Sequence, residues 1–408
     1  MSIVKQGLKT AVPKLRFPEF RGTAAWKETK LEELIDTVSP PTKLQSASYL
    51  PTGKFPIIDQ SQDLICGWTD DSCAIVEKPL PLIVFGDHTC VLKFIERPFV
   101  QGADGIKILA AKSAVSIRYL FHSLNYQPLV MEDYKRHFST LKERLVFFPS
   151  IDSGEQKKVA DCLTSLDEVI SAQGWKVETL KAHKLGLMQQ LFPRKGETRP
   201  RFRFPEFRDA PDWMLGKASD IVEVLQGYGF PERLQGSREG EFPFYKVSDI
   251  SACVDAGGTL LDKANNHIDI DVLEELRAKL MPVGSTVFAK IGEAIRSNKR
   301  AITARPCLVD NNAAGIKAIA GLAHDRFVYY LWCQVPLIEY AGGVVPAVNK
   351  SAIEQVPVYY PKLDEQQHIA DCLSSLDAVI VAESAQLTAL KTHKQGLMQQ
   401  LFPAQRAG

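Results

Sequence analysis

Two groups of polar residues in this chain have the chemistry to hold a polyanion and to read base edges. In the first half Gln60, Ser61 and Gln62 follow a short apolar run, and Gly86, Asp87, His88, Thr89 and Lys93 follow another. Glutamine pairs bidentately with adenine, while Ser, Thr and Lys contact base edges or phosphates. Tyr134–Ser139, with Arg136 and His137, is a third polar stretch. In the second half Lys246 and Ser248 follow a strand-like run, and the loop from Lys290 to Arg305 is basic. It holds Lys290, Arg296, Lys299, Arg300 and Arg305 against one acid, Glu293, with Gly292 and Asn298 between them. Such a positive tongue can track a phosphate backbone. Asn349 and Lys350 supply a later polar loop. Any one of these residues alone is equally an exposed turn; the basic loop in a chain of net charge +1 is the stronger signal.

A reaction centre would need other parts. Gly227-Tyr228-Gly229 is only a fragment of a Gly-rich phosphate loop and is followed by Phe230-Pro231. No GxSxG, HExxH or zinc-ligand spacing occurs, nor the Asn-Pro-Pro-aromatic run of an amino-methyltransferase. His88 has no ligand partner at metal spacing. The expectation is therefore no catalytic residue, no metal ligand and no cofactor on this chain.

Two long repeated stretches must position these loops. Glu155–Pro193 returns as Glu365–Pro403 at a constant offset of 210, with 24 of 39 positions identical and no gap. Apolar residues fall at alternating steps of four and three: Val159, Leu163, Leu166, Ile170, Val177, Leu180, Leu187 and Leu191 in the first copy. That average step of 3.5 is the coiled-coil signature. A helix of 39 residues spans about 58 Å, too long for an ordinary core helix, so the two copies are expected to pair. Ser153 with Gln156, and Asp364 with Gln367, stand at capping-box spacing. The seam is polar at Gln173/Glu383 and Lys184/Lys394, which are candidates for setting an antiparallel register.

A second repeat, PKLRFPEFR at Pro13–Arg21 and PRFRFPEFR at Pro200–Arg208, lies at offset 187. Its prolines and aromatics predict an extended segment pinned by ring burial, with stacking on bases as the functional alternative. Strands are expected at Phe55–Ile58, Leu80–Phe85, Phe242–Val247, Ser285–Ala289 and Ile302–Ala304. Shorter helices are expected at Ile117–Tyr126, Asp271–Leu280 and Arg326–Gln334. Gly105-Ile106-Lys107 is matched to Gly315-Ile316-Lys317 at offset 210. The fold class is α+β: bodies at 1–154 and 194–364, a spacer helix at 155–193, and a distal helix and tail at 365–408, with residues 1–12 as an arm.

Composition is globular, at 45% hydrophobic residues. No apolar run approaches a membrane span and the N-terminus lacks a signal-peptide stretch, so a cytoplasmic protein with reduced cysteines is expected.

The chain resembles the specificity subunits of type I restriction–modification systems. The resemblance rests on both long repeats (EQ..IA..L..LD..I and LK..K.GLMQQLF), on the RFPEF segments, and on IIDQSQ, GWTDD, VFGDHT and FAKIG. It implies two target recognition domains, each reading one part of a bipartite double-stranded DNA site, with two antiparallel helices setting the distance. It implies two methyltransferase subunits supplying S-adenosylmethionine binding and adenine methylation. Restriction/translocation subunits would supply ATP- and Mg-dependent motion and cleavage. Two rival readings are a coiled-coil scaffold whose bodies bind proteins, and a DNA-acting enzyme. Steep loss of DNA affinity with salt separates the first reading from the scaffold.

Overall fold

The computed structural model describes residues 10–77, 79–103, 105–132 and 135–403. Most of the expected N-terminal arm, Tyr134 of the third polar stretch and residues 404–408 lie outside them. The chain forms two compact units, one of residues 1–172 with 388–408 and the other of residues 173–387. This division cuts each long helix rather than following the expected domain limits at 154 and 364.

The unit of residues 173–387 carries a five-stranded sheet in the order Val222–Gln226, Ala313–Ala318, Thr286–Ala289, Arg300–Thr303, Leu260–Leu261. A three-stranded sheet (His267–Ile268, Phe242–Tyr245, Leu308–Val309) and the pair Met214–Lys217 with Pro357–Tyr360 complete it. The other unit repeats the plan with sheets of three, four and four strands. Ile35–Val38, Ile106–Ala111, Leu82–Gly86 and Leu92–Ile95 make one four-stranded sheet, Gly67–Thr69, Phe55–Ile58, Phe99–Gln101 and Ile75–Val76 the other, and the polar loops leave both. The sheet register corrects one sequence match. Ile108 faces Val38 and Val84, whereas Gly315 faces Leu225 and Val287. With Val38 matched to Leu225 at offset 187 and Val84 to Val287 at offset 203, Ile108 and Gly315 are equivalent at offset 207, so the Gly-Ile-Lys match at 210 is three residues out of register.

The helices run Glu155–Leu191 and Leu363–Leu401, 37 and 39 residues. Within the unit of residues 173–387 they are antiparallel: the Gln173 amide donates to the Glu383 carboxylate at 2.6 Å, and Lys184 meets Asp377 at 2.5 Å. Within the other unit Lys394 meets Asp167 at 2.5 Å. The polar seam positions thus bind across the seam in both units, with lysines and aspartates exchanging helices. Leu363–Leu401 is long and apolar enough to cross a membrane by length and composition, with a window of mean hydropathy 1.2. Its Asp377 and Glu383 are instead ion-paired across the seam.

The capping boxes do not form. Ser153 Oγ accepts the Glu155 N–H at 3.2 Å, but the Gln156 side chain turns inward. Its Oε1 accepts the Ser116 N–H at 2.7 Å and its Nε2 donates to Ala114 O and Pro149 O. Gln366 does the same with His324 N–H, Leu322 O and Pro361 O. Both glutamines are buried. A fully satisfied buried amide ties each body to its helix more firmly than a solvent-facing cap would.

The RFPEF segments are structural. Each makes a short 3-10 turn, Pro18–Phe20 and Pro205–Phe207. The arginine ahead of each is buried: Arg16 grips both oxygens of Glu155 at 2.6 and 2.7 Å, and Arg203 grips Glu365 at 2.7 and 2.8 Å. Their remaining N–H groups donate to backbone carbonyls. Trp213 adds an N–H to Glu365 at 3.3 Å.

A third lock differs between the units. His122 contacts Thr164 at 2.9 Å and lies 3.8 Å from Asp167, where the other unit has Tyr330 against Ser374 and Asp377. Burial pushes the His122 imidazole down to about 4; Asp167 opposes the shift, and Lys394 and Arg118 add to it. The native imidazole is neutral, so its contribution is complete above the unfolded value near 6.5 and is lost as pH falls from there toward 4. The total is about 3 kcal/mol. Urea midpoints measured between pH 7.5 and 5 should fall for the native chain and fall less for His122→Tyr; equal slopes would remove His122 as the cause.

Candidate nucleic-acid interface

In the unit of residues 1–172 with 388–408, the polar crest forms where the strands Phe55–Ile58 and Leu82–Gly86 end and Ile106–Ala111 begins. A cleft of about 320 Å³ opens there, lined by Lys43, Gln60, Asp87, His88, Lys107 and Arg136, among others. Gln60 enters it because glycines make room. A Cβ on Gly105, whose φ is +104°, would sit 2.7 Å from Gln60 Oε1, and one on Gly86 would sit 3.2 Å from Gln60 Cβ. Gln60 Oε1 is buried with no hydrogen-bond partner among the described residues. A glutamine held with an unused acceptor against an open cleft is equipped to take a hydrogen bond from a ligand.

The other expected residues of this unit divide into supports and lining. Asp87 is 3% exposed; its carboxylate accepts the His137 and Phe138 N–H groups at 2.9 and 2.8 Å. His137 is buried as well. The Glu132 N–H donates to its Nε2 at 3.2 Å, which leaves Nδ1 to donate to Asp87 O, also at 3.2 Å. Lys93 does not face solvent as expected. It is 5% exposed, its ammonium donates to Asp59 O and Asp63 O, and burial lowers its pKa. It pins the Asp59–Asp63 loop from beneath, because its strand Leu92–Ile95 points this side chain inward. Gly86 is a buried strand residue. Thr89 donates to Gln60 O at 2.7 Å and the Ser61 N–H to Asp59 Oδ1 at 2.9 Å, so both shape the loop. Gln62 and Arg136 are exposed. Lys43 and Lys107 are additions that sequence reasoning missed; each stands alone in sequence and joins the cations only through the fold.

In the unit of residues 173–387 the basic loop is not a free tongue. Glu293–Ser297 is a 3-10 turn and Arg300–Thr303 a buried strand. Arg300 is 2% exposed, binds Asn298 Oδ1 at 2.6 Å and Lys299 O at 2.9 Å, and stacks on Phe288. Burial pulls its guanidinium down to about 10. The expectation of Arg300 as a phosphate contact is corrected: a strand packed on both faces turns this cation inward. Lys299 pairs with Asp255 at 2.6 Å and Arg296 with Glu293 at 2.8 Å. Asn298, in the left-handed region at φ 51°, donates to Cys333 O at 3.2 Å.

The polar edge of this unit gathers instead at strand ends. Lys246 donates to Gln235 at 2.7 Å and lies over the Phe230 ring; Lys290 donates to Gln226 at 3.1 Å. Both cations act on Asp310, whose pKa burial raises, while burial lowers that of Lys290. Gly227 permits the crossing here, since a Cβ would lie 1.9 Å from Asp310 O. Its role is close backbone packing, not a phosphate loop. Ser248 is exposed in the first turn of the helix Val247–Asp255. Gly292 has φ +84° and donates its N–H to Pro346 O at 2.8 Å. Asn349 caps the helix Lys350–Glu354 through the Ala352 N–H, and Lys350 pairs with Glu354 at 3.6 Å.

Residues 211–392 match the family model described as "Type I restriction modification DNA specificity domain". Among curated proteins the chain is similar to the putative type I restriction enzyme MjaX specificity subunit of Methanocaldococcus jannaschii. The two are 26% identical over 271 residues, 64% of this chain and 59% of that protein. The match thus spans under two thirds of that relative's length. The MjaIX specificity subunit of the same organism is 22% identical over 73% of this chain and 71% of its own. Among solved structures, the type I restriction–modification S subunit from M. genitalium shares the fold. Its TM-score is 0.66 at 14% identity, covering 97% of this chain and 100% of that one. A chain from a structure of type I R-M complex assembly and conformational transition gives 0.52 at 13% identity, covering 93% and 98%.

Proposed function

We propose that this chain, whose residues 211–392 match the model of a type I restriction modification DNA specificity domain, is as a whole the specificity subunit of such a complex. Each unit reads one part of a bipartite duplex target, and the two long helices fix the number of unread base pairs between the parts. The observation that carries this reading is the doubled plan. The two units repeat one architecture and are locked to the helices by equivalent residues, Arg16–Glu155 and Arg203–Glu365, Gln156 and Gln366. Yet their crests differ, with Gln60 and Asp87 in one and Lys246 and Lys290 in the other. A common frame bearing unlike crests suits two readers of unlike half-sites.

The chemistry belongs to partners in this reading. Two methyltransferase subunits dock on apolar side chains left exposed on the helices, Val169 in one unit and Trp175, Leu185, Val379 and Val381 in the other. They bring S-adenosylmethionine, and restriction/translocation subunits bring ATP and Mg. The chain itself carries no catalytic step and works in the cytoplasm. A methylome of cells expressing this chain with its methyltransferase is expected to show one adenine-methylated motif with a fixed unread gap. Adding or removing one helical turn in both helices should change the gap and leave both half-sites intact. A motif that altered in sequence but not in gap would refute the ruler.

A further inference from the structure

Two apolar tips stand in solvent at matching places in the two units. In the unit of residues 173–387 the turn Gly342–Ala347 is closed by reciprocal backbone bonds, Gly342 N–H to Ala347 O at 3.0 Å and back at 3.1 Å. Gly343, at φ +90°, lets it close. At its crown Val344 is 105% exposed and Val345 61%. In the other unit Val130 is 78% and Met131 57% exposed. Each tip precedes a short helix, Lys350–Glu354 or Phe138–Lys142. Each is followed by an N–H that binds the carbonyl at the end of a crest strand: Val348 to Lys290 at 2.9 Å, and His137 to Asp87 at 2.8 Å.

A single exposed valine is ordinary. A pair of exposed apolar side chains, recurring beside the crest of both units in otherwise dissimilar sequence, calls for an apolar destination near a polyanion. Stacked base pairs are one, and proteins that kink duplexes insert such side chains between base steps. We propose that the Val344-Val345 and Val130-Met131 tips are wedges that enter duplex DNA and unstack one step in each half-site. Beside the first tip stand Lys290, whose carbonyl receives the Val348 N–H, and Lys350, which opens the next helix and pairs with Glu354. After the second, Glu132 pairs with Lys135 and Arg136 is exposed, so among these described residues cations outnumber acids at both tips. The reciprocal bonds that close the Gly342–Ala347 turn fix the direction in which its crown projects.

The proposal rests on the DNA-reading function. Its test uses the chain assembled with its methyltransferase subunits on the target found by methylome. 2-Aminopurine replaces one base at a time, at steps other than the methylated adenine. The expected result is a several-fold rise in emission at one step of each half-site. Val344→Ser with Val345→Ser should abolish one rise and Val130→Ser with Met131→Ser the other, while anisotropy shows the complex still bound. The idea is overturned if the bound native complex brightens no step, or if the serine variants brighten it equally. It is also overturned if those variants lose the methyltransferase subunits while the rise persists, which would make the tips a protein dock. Absence of any duplex binding by the native complex in the anisotropy channel would overturn the DNA reading as well.

Discussion

Arg203→Ala is expected to destabilise its unit by about 3–5 kcal/mol, the cost of leaving a buried carboxylate without its partner. Arg203 and Glu365 have side chains 5% and 4% exposed and share two hydrogen bonds. The arginine also holds Ala210 O and Pro211 O, so its loss frees the entire RFPEF turn. The carboxylate keeps only the Trp213 N–H at 3.3 Å. Differential scanning calorimetry of the full chain should show one transition moved down by roughly 10 °C, following the usual scaling for a unit of this size. Arg203→Met with Glu365→Leu should recover most of the loss, because a buried ion pair is weak evidence of net stabilisation although breaking it is costly. A single variant within about 1 kcal/mol of the native chain would mean that water reaches Glu365 and the lock is not dry.

Gln60→Ala is expected to relax the methylated motif at one half-site and leave the other unchanged. The amide oxygen is buried at the cleft with no partner among the described residues, and two glycines make room for the side chain there. Losing a bidentate base contact costs about 1–3 kcal/mol of discrimination, roughly 5- to 150-fold. Sequencing the methylated sites should therefore reveal a degenerate position where the native chain shows one base. If the motif stays intact while duplex affinity drops, the side chain supports the loop and reads nothing, since the backbone carbonyl contact with Thr89 survives the substitution. Gly105→Ala should mimic the alanine substitution, since its Cβ would push into Gln60 Oε1.

The helices were legible because their information is periodic. Val159, Leu163, Ile369 and Leu373 are all 0 or 1% exposed, where the heptad spacing places them. Ile117–Tyr126 likewise appears at its expected limits. Local patterns failed where a distant partner claims the side chain. The cap signal at Gln156 was a correct spacing put to another use, since its hydrogen bonds go to residues 114, 116 and 149. The strand expected at Phe242–Val247 ends at Tyr245, because the Asp249 carboxylate takes the Lys246 N–H and starts a helix at Val247. Counting cations found the basic loop but not its direction. In a strand buried on both faces nothing in the alternation separates an inward Arg300 from an outward one.

The crossing of the long helices between units has a consequence for biosynthesis. Trp26 and Tyr119 share their core with Met398, Leu401 and Phe402, and the Leu15 N–H is bonded to Gln400 O. The equivalent cover in the other unit comes from Met188, Leu191 and Phe192, which a ribosome delivers before the body they shield. The unit made second therefore emerges with its cover already present. The unit made first waits, with its aromatic core open, for a segment that follows residue 172 by more than 200 residues. At ordinary elongation rates that interval is roughly 10–45 s. Through it, the nascent N-terminal body is the one that needs a chaperone.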